Sequence, residues 1–181
     1  ENAVKDVCLA LSTHKVSPDV CEAAAAALVS LLLDDNSYDV FSELDCADNL
    51  VAAIHLHKKN AKVVKNCCKV LATVVEASEE CAFEFLSNKR EDSSSPTGIP
   101  TVIEAYRIHK DDADVVESIV RLLLELSNYD EICFELKAAN VATVLLKISR
   151  KFGENEEIME PVKEALERLG GGYTRLAQQQ S

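Results

Sequence analysis

Tryptophan is absent from the 181 residues, methionine occurs once, and Phe and Tyr number five and four. A core for this chain therefore has to be built from Ala, Val, Leu, Ile and Cys. Turn residues are scarce as well, with five Gly and four Pro, fewer than a β-sandwich or barrel spends. No stretch reaches the roughly 18 apolar residues of a membrane span; the longest, Ala23 to Leu33, is interrupted by Ser30. Positive charge is in deficit: 19 Lys and Arg stand against 31 Asp and Glu, for a net charge of −12 and a pI near 4.8. That balance argues against a general nucleic-acid binder and a membrane-surface binder, both of which need a positive field. The start, Glu1-Asn2-Ala3, has no basic segment of the signal-peptide kind, and Met159 is the only Met. The expectation is a piece of a longer protein, with a removed targeting segment left open.

What is present is 48% hydrophobic and 28% charged, the composition of a folded chain with a sizeable core. Seven cysteines are an odd number, and a chain of this size needs no staples. Most of them fall inside apolar helical patterns, where a thiol packs as a small hydrophobe. The expectation is a reducing compartment, cytoplasmic or nuclear, with reduced cysteines and no disulfide framework.

A repeat organises the chain. His14 opens HKVSPDVCEAAAAALVSL, His57 opens HKKNAKVVKNCCKVLATV and His109 opens HKDDADVVESIVRLLLEL, 43 and then 52 residues apart. KFGENEEIMEPVKEALERL, from Lys151, continues the series when Ile158 is set under Val115. Val20, Val63, Val115 and Ile158 then correspond, as do Ala24, Cys67, Ile119 and Val162. Ala27, Val70, Leu122 and Ala165 form the next set, followed by Leu28, Leu71, Leu123 and Leu166, and finally Leu31, Val74, Leu126 and Leu169. Steps of four, three, one and three trace one face of an α-helix. A second apolar helix precedes each frame: Val4 to Leu11, Leu50 to Leu56, Ile99 to Ile108 and Val141 to Ile148. A shorter element follows three of them, at Tyr38 to Leu44, Cys81 to Leu86 and Tyr129 to Leu136.

Three helices in a period near 43 resemble an armadillo repeat more than a HEAT repeat or a 34-residue helix pair. The resemblance covers about residues 3–170. It implies an all-α, right-handed α-solenoid of about four armadillo-like units, each too small to cover its own apolar face. The expected units span about 3–46, 47–98, 99–139 and 140–170, so the repeat domain occupies 1–170. The wider second spacing is taken up by a polar insertion at 88–98, NKREDSSSPTG, read as a surface loop; its Ser95-Pro96 resembles a proline-directed phosphorylation site. After Gly170-Gly171-Gly172 the segment 171–181 reads as a flexible tail.

Catalytic chemistry finds little support. Cys67-Cys68 lies on the buried frame, and His57 is ten residues away along the chain, too far for a thiol–imidazole pair on one helix. No C-x-x-C or H-E-x-x-H occurs, so no metal and no cofactor is expected. His55 and His57 fall on different helix faces. His14, His57 and His109 end their helices, where imidazole complements the dipole and caps carbonyls. Carboxylates gather at helix starts and turns, at Asp34-Asp35, Asp111-Asp112-Ala113-Asp114 and Glu154-Asn155-Glu156-Glu157, as the helix dipole favours. The chain is expected not to be an enzyme.

Armadillo-like proteins bind extended peptides or partner helices in a concave groove lined by the third helix. In catenins and nuclear-import adaptors that helix carries an Asn ladder, often with Trp. Here the ladder positions are Ser30, Thr73, Glu125 and Arg168, so the resemblance implies a scaffold without a backbone-clamping Asn row. The residues interleaved with the frame form one stripe per helix: Asp19, Glu22, Ala26 and Ser30; Lys62, Lys65, Lys69 and Thr73; Asp114, Glu117, Arg121 and Glu125; Glu157, Glu160, Glu164 and Arg168. The expected groove is acidic at both ends with a basic band between. Two readings stay open: a solvated face whose charges pair between neighbouring repeats, and a groove for a peptide or helix of basic character carrying at least one acidic residue. A second function reading is a regulatory armadillo region acting on a neighbouring catalytic domain of a larger signalling or cytoskeletal protein.

Overall fold

The computed structural model describes residues 2–32, 41, 44–86 and 97–170. Among them are ten helices and no strand. In chain order they are α1 (Asn2–Thr13), α2 (Pro18–Leu31), α3 (Cys46–Leu56), α4 (Ala61–Ala77), α5 (Glu79–Leu86), α6 (Gly98–His109), α7 (Ala113–Leu126), α8 (Asp130–Ala138), α9 (Val141–Lys151) and α10 (Glu156–Arg168). Most of the shorter element expected over Tyr38 to Leu44, most of the 88–98 insertion and the 171–181 tail lie outside the described residues, although Phe41 is described and fully buried. Gly98, assigned to the insertion from sequence, is instead the first residue of α6. A Cβ there would lie 2.3 Å from the Phe85 carbonyl oxygen, so the close passage of α5 against α6 admits only glycine.

The four frame helices begin at equivalent residues. Ser17, Asn60, Asp112 and Asn155 occupy the N-caps with extended backbone. Asn60 accepts from the amides of Lys62 and Val63, Asp112 from Val115 and Asn155 from Ile158, each satisfying a donor that the first helical turn leaves open. Each turn before the cap closes in the same way, the cap amide donating to His14, His57, His109 or Phe152 at 2.7–2.9 Å. Asp45 and Asn140, at equivalent places before α3 and α9, hold left-handed backbone, which Asp and Asn tolerate better than other side chains.

Stacking follows the frame. α2 packs on α4, α4 on α7 and α7 on α10, while α1 packs on α3 and α3 on α6. The five frame residues of α4, of α7 and of α10 with its C-cap Leu169 are all buried, each full burial of a Val, Leu or Ile contributing about 1.5–3 kcal/mol. In α2 only Ala24 and Leu28 are buried, and Val20, Ala27 and Leu31 stay partly exposed. Polar contacts also span the units: Lys58 Nζ donates to Glu104 Oε1 at 2.7 Å, and Tyr129 Oη donates to the Val75 carbonyl at 2.6 Å.

The cysteines need one correction. Cys8 of α1 and Cys46 at the start of α3 form a disulfide with Cα atoms 6.0 Å apart. Stacking brings two consecutive units face to face there, a proximity that residue spacing does not reveal. Cys21, Cys67, Cys68, Cys81 and Cys133 remain thiols, all buried.

Candidate functional site

The residues interleaved with the frame fall on the open side of each frame helix. Asp19, Ala26, Ser30, Lys62, Lys69, Asp114, Arg121, Glu157, Glu160, Glu164 and Arg168 are exposed, and Glu22, Lys65, Thr73, Glu117 and Glu125 are half-buried. The helix period alone produces this, since the buried row of each helix is turned toward its neighbours.

Charges on the stripe are tied across the stack. Lys62 Nζ lies 3.3 Å from Glu22 Oε1, and Lys65 Nζ lies 3.0 Å from Asp114 Oδ2. Asn66 donates its side-chain amide to the Glu22 carbonyl at 3.4 Å. The Lys65 ammonium, through its hydrogen bond, holds the Asp114 carboxyl below the usual carboxylate range. Within α7, Arg121 Nε donates to Glu117 Oε1 at 3.2 Å, and within α10 Lys163 Nζ donates to Glu160 Oε1 at 3.0 Å. Arg168 joins Glu164 and Asn128 and reaches the Leu124 carbonyl at 3.5 Å. Thr73 is turned inward on its own helix, its hydroxyl donating to the Lys69 carbonyl at 3.1 Å.

Two of the three lysines in the basic band are therefore engaged by acids of the adjoining units. Among the described residues Asp19, Lys69 and Glu157 have no ion-pair partner within 4.0 Å. Exposed pairs of this kind contribute about 0–1 kcal/mol, so a ligand of complementary charge can replace them at little cost. The acidic end behaves differently. Glu125 is pushed above the usual carboxylate range, first by burial and next by the nearby Glu76 carboxylate, while Asn128 donates to it at 2.9 Å.

The histidines do more than end their helices. His57 Nε2 is 2.8 Å from the Lys15 carbonyl, and His109 Nε2 is 2.8 Å from the Lys58 carbonyl. A carbonyl oxygen only accepts, so each ring carries its proton on Nε2. Each histidine thus binds the residue that follows the equivalent histidine one unit earlier, not a carbonyl of its own helix end. Phe152 occupies the fourth place and has no donor. The recurrence of His was visible in the sequence; that the bond crosses between units depends on the stacking distance and was not.

Cys67 and Cys68 sit where the frame places them, fully buried. Burial raises the Cys67 thiol well above its ordinary value, and the Cys68 thiol is pushed up to about 12, the opposite of what a nucleophilic cysteine needs. Among the described residues no group of three His, Cys, Asp or Glu side chains has a metal-holding arrangement, and no helix is long and apolar enough to cross a membrane. Asp112 caps α7, and Asp111 pairs with Lys151, so that acidic cluster serves structure. Asp34-Asp35, Ser95-Pro96 and the tail fall outside the described residues. A hollow of about 700 Å³ that no residue pattern announced lies among α5, α6 and α8, lined by Phe83, Leu86, Ile99, Pro100 and Ala138 with Glu80, Glu84 and Glu135.

The family model described as LRRK2 ARM repeat matches residues 2–177. No solved structure matches the chain. Armadillo repeats form helical scaffolds that serve protein interaction and are in general without catalytic activity.

Proposed function

Because the chain belongs to the LRRK2 ARM repeat family, we propose that it is a protein-interaction scaffold whose partner, a peptide or helix of basic character with at least one acidic residue, lies along the stripes of α2, α4, α7 and α10. The observation that carries this reading is the shared register of those four helices: they stack side by side, and each turns one row of charged residues outward at the same spacing. A partner spanning them meets Asp19 and Glu22, then Lys69 with the exchangeable Lys62 and Lys65, then Glu117, Arg121 and Glu125, and at the far end Glu157, Glu160 and Arg168. Complementary charge along that path sets register and association rate more than affinity.

Two charge reversals test it. Lys62→Glu with Lys65→Glu and Glu117→Lys with Glu160→Lys are compared with the unaltered chain in capture of binding proteins at low salt. The reading expects proteins retained by the unaltered chain to be lost by at least one double variant and to be released as salt rises. Equal retention by all three chains rules out the stripe as the site. The second reading, a regulatory armadillo region acting on a catalytic neighbour, uses the same surface with a partner on its own polypeptide.

A further inference from the structure

One edge of the stack is basic although the chain as a whole carries a net charge of −12. The helix ends and turns that lead into α2, α4 and α7 comprise residues 13–16, 55–59 and 107–110. They hold five Lys or Arg, all four His and no Asp or Glu. The three segments lie against one another, because His57 reaches the Lys15 carbonyl and His109 the Lys58 carbonyl. Glu104 answers part of this charge. Its bond to Lys58, with His55 and Arg107 close by, holds its carboxyl below the usual carboxylate range. Lys15, Lys59, Arg107 and Lys110 have no ion-pair partner among the described residues.

The same edge leaves aliphatic side chains open to solvent. Among the described residues the exposed large hydrophobics are Leu9, Val16, Leu56, Ile108 and Phe134. Three of these five stand here, Val16 at 76%, Leu56 at 50% and Ile108 at 42% exposure. Leu56 and Ile108 hold the same place in consecutive units, each just before the histidine that bonds to the preceding turn. Where α2 begins beside the second turn the surface is recessed. The hollow there is about 570 Å³, walled by Pro18 and Leu56 with Lys58 and Lys59. Cations at helix C-termini complement the dipole, but the dipole does not explain exposed aliphatic side chains set between them. Scattered exposed apolar residues are ordinary, whereas a row of them rimmed by charge marks an interaction surface.

We propose that this edge docks an extended acidic segment of a partner protein that carries an apolar side chain at every third position. One apolar side chain enters the hollow beside Leu56, the next meets Ile108, and Asp or Glu between them face Lys59, Arg107 and Lys110. Charge complementarity and spacing identify this occupant. Stacked helices lie about 8–10 Å apart, and a polyproline-II chain advances ~9 Å in three residues. A lipid surface fits less well, since a flat bilayer leaves the hollow unfilled and an anionic one repels a chain of net charge −12. None of these residues belongs to the frame-helix stripes, so the inference does not depend on a partner there.

The test titrates the 181-residue chain into a fluorescein-labelled peptide, EPLEPLEPLE, and reads anisotropy beside EPSEPSEPSE and KPLKPLKPLK. The acidic apolar peptide is expected to bind saturably, and the other two about tenfold or more weakly. Lys59→Glu with Lys110→Glu should weaken its binding about tenfold, and Leu56→Ser with Ile108→Ser about fivefold. All four side chains are exposed, so helical circular dichroism should not change in either variant. Lys62→Glu with Lys65→Glu, on the stripe, should weaken binding less than the edge pair does. Absence of saturable binding by EPLEPLEPLE, or equal binding by the serine peptide, overturns the proposal. So does loss of binding in the Lys62 and Lys65 variant with both edge variants unaffected, which assigns the peptide to the stripe. Co-sedimentation of the chain with phosphatidylserine vesicles, abolished by Leu56→Ser with Ile108→Ser while the peptide stays unbound, assigns the edge to a lipid surface and overturns it likewise.

Discussion

His109 donates from Nε2 to the Lys58 carbonyl oxygen at 2.8 Å, and the bond ties a helix end in one unit to the turn of the unit before it. The same bond recurs between His57 and Lys15. A repeat array gains stability from each interface with its neighbours, and this hydrogen bond is a polar component of that interface beside the apolar frame. The natural replacement at the fourth place, Phe152, indicates how to remove it without leaving a hole. His109→Phe is expected to lower stability by about 1 kcal/mol, read as a fall in the urea midpoint. His14→Phe, which breaks no such bond within the described residues, should leave the midpoint where it is.

Gly98→Ala should destabilise the chain although alanine favours helices by about 1 kcal/mol. The added Cβ would meet the Phe85 carbonyl oxygen at 2.3 Å and the Phe85 ring at 2.6 Å. Backbone cannot swing aside as a side chain can, so α5 and α6 must separate, at a cost of about 1–3 kcal/mol. Urea titration of the variant checks this, and a midpoint equal to or above that of the unaltered chain would show that α5 is free to move.

The Cys8–Cys46 bond predicts a thiol count. Denatured without reductant, the protein should expose five thiols, rising to the seven of the sequence after reduction. Closing a separation of 38 residues corresponds to about 4 kcal/mol in the chain-entropy model, so reduction should lower the urea midpoint markedly. Seven thiols before reduction would contradict the bond.

Glu125 sets a pH dependence. Its carboxyl is held above the unfolded value, so the folded state binds that proton more tightly than the unfolded chain. The stability this contributes is full below the unfolded pKa and is lost as pH rises through the folded one. Glu125→Gln removes the charge while keeping an acceptor for Asn128. The variant should be more stable than the unaltered chain at pH 7, and the difference should shrink toward pH 4. A difference that does not change with pH would assign the effect to packing.

Much of the architecture was readable because the frame repeats in residue type as well as in spacing. Val63, Cys67, Val70, Leu71 and Val74 announce a buried helical face, and Asn60, Asp112 and Asn155 announce its start. The interactions between units were less readable. Cys8 and Cys46, His57 and Lys15, Lys65 and Asp114 are each close only because units stack, and no local pattern encodes the distance between two helices 38 or more residues apart. Lys62 and Lys65 illustrate the consequence: their exposed row followed from periodicity, but their engagement by Glu22 and Asp114 depended on what the adjacent rows carried. The partial exposure of Val20 and Ala27 was likewise invisible, since both fit the frame as well as their buried counterparts do.

The proposal that a partner lies along the frame-helix stripes is tested most directly by hydrogen exchange of the chain with and without a protein captured through it. Protection is expected in the segments carrying Lys62 to Thr73, Asp114 to Glu125 and Glu157 to Arg168, on three stacked helices at once. Protection confined to α1, α3, α6 and α9, with the frame helices exchanging as they do alone, would contradict it.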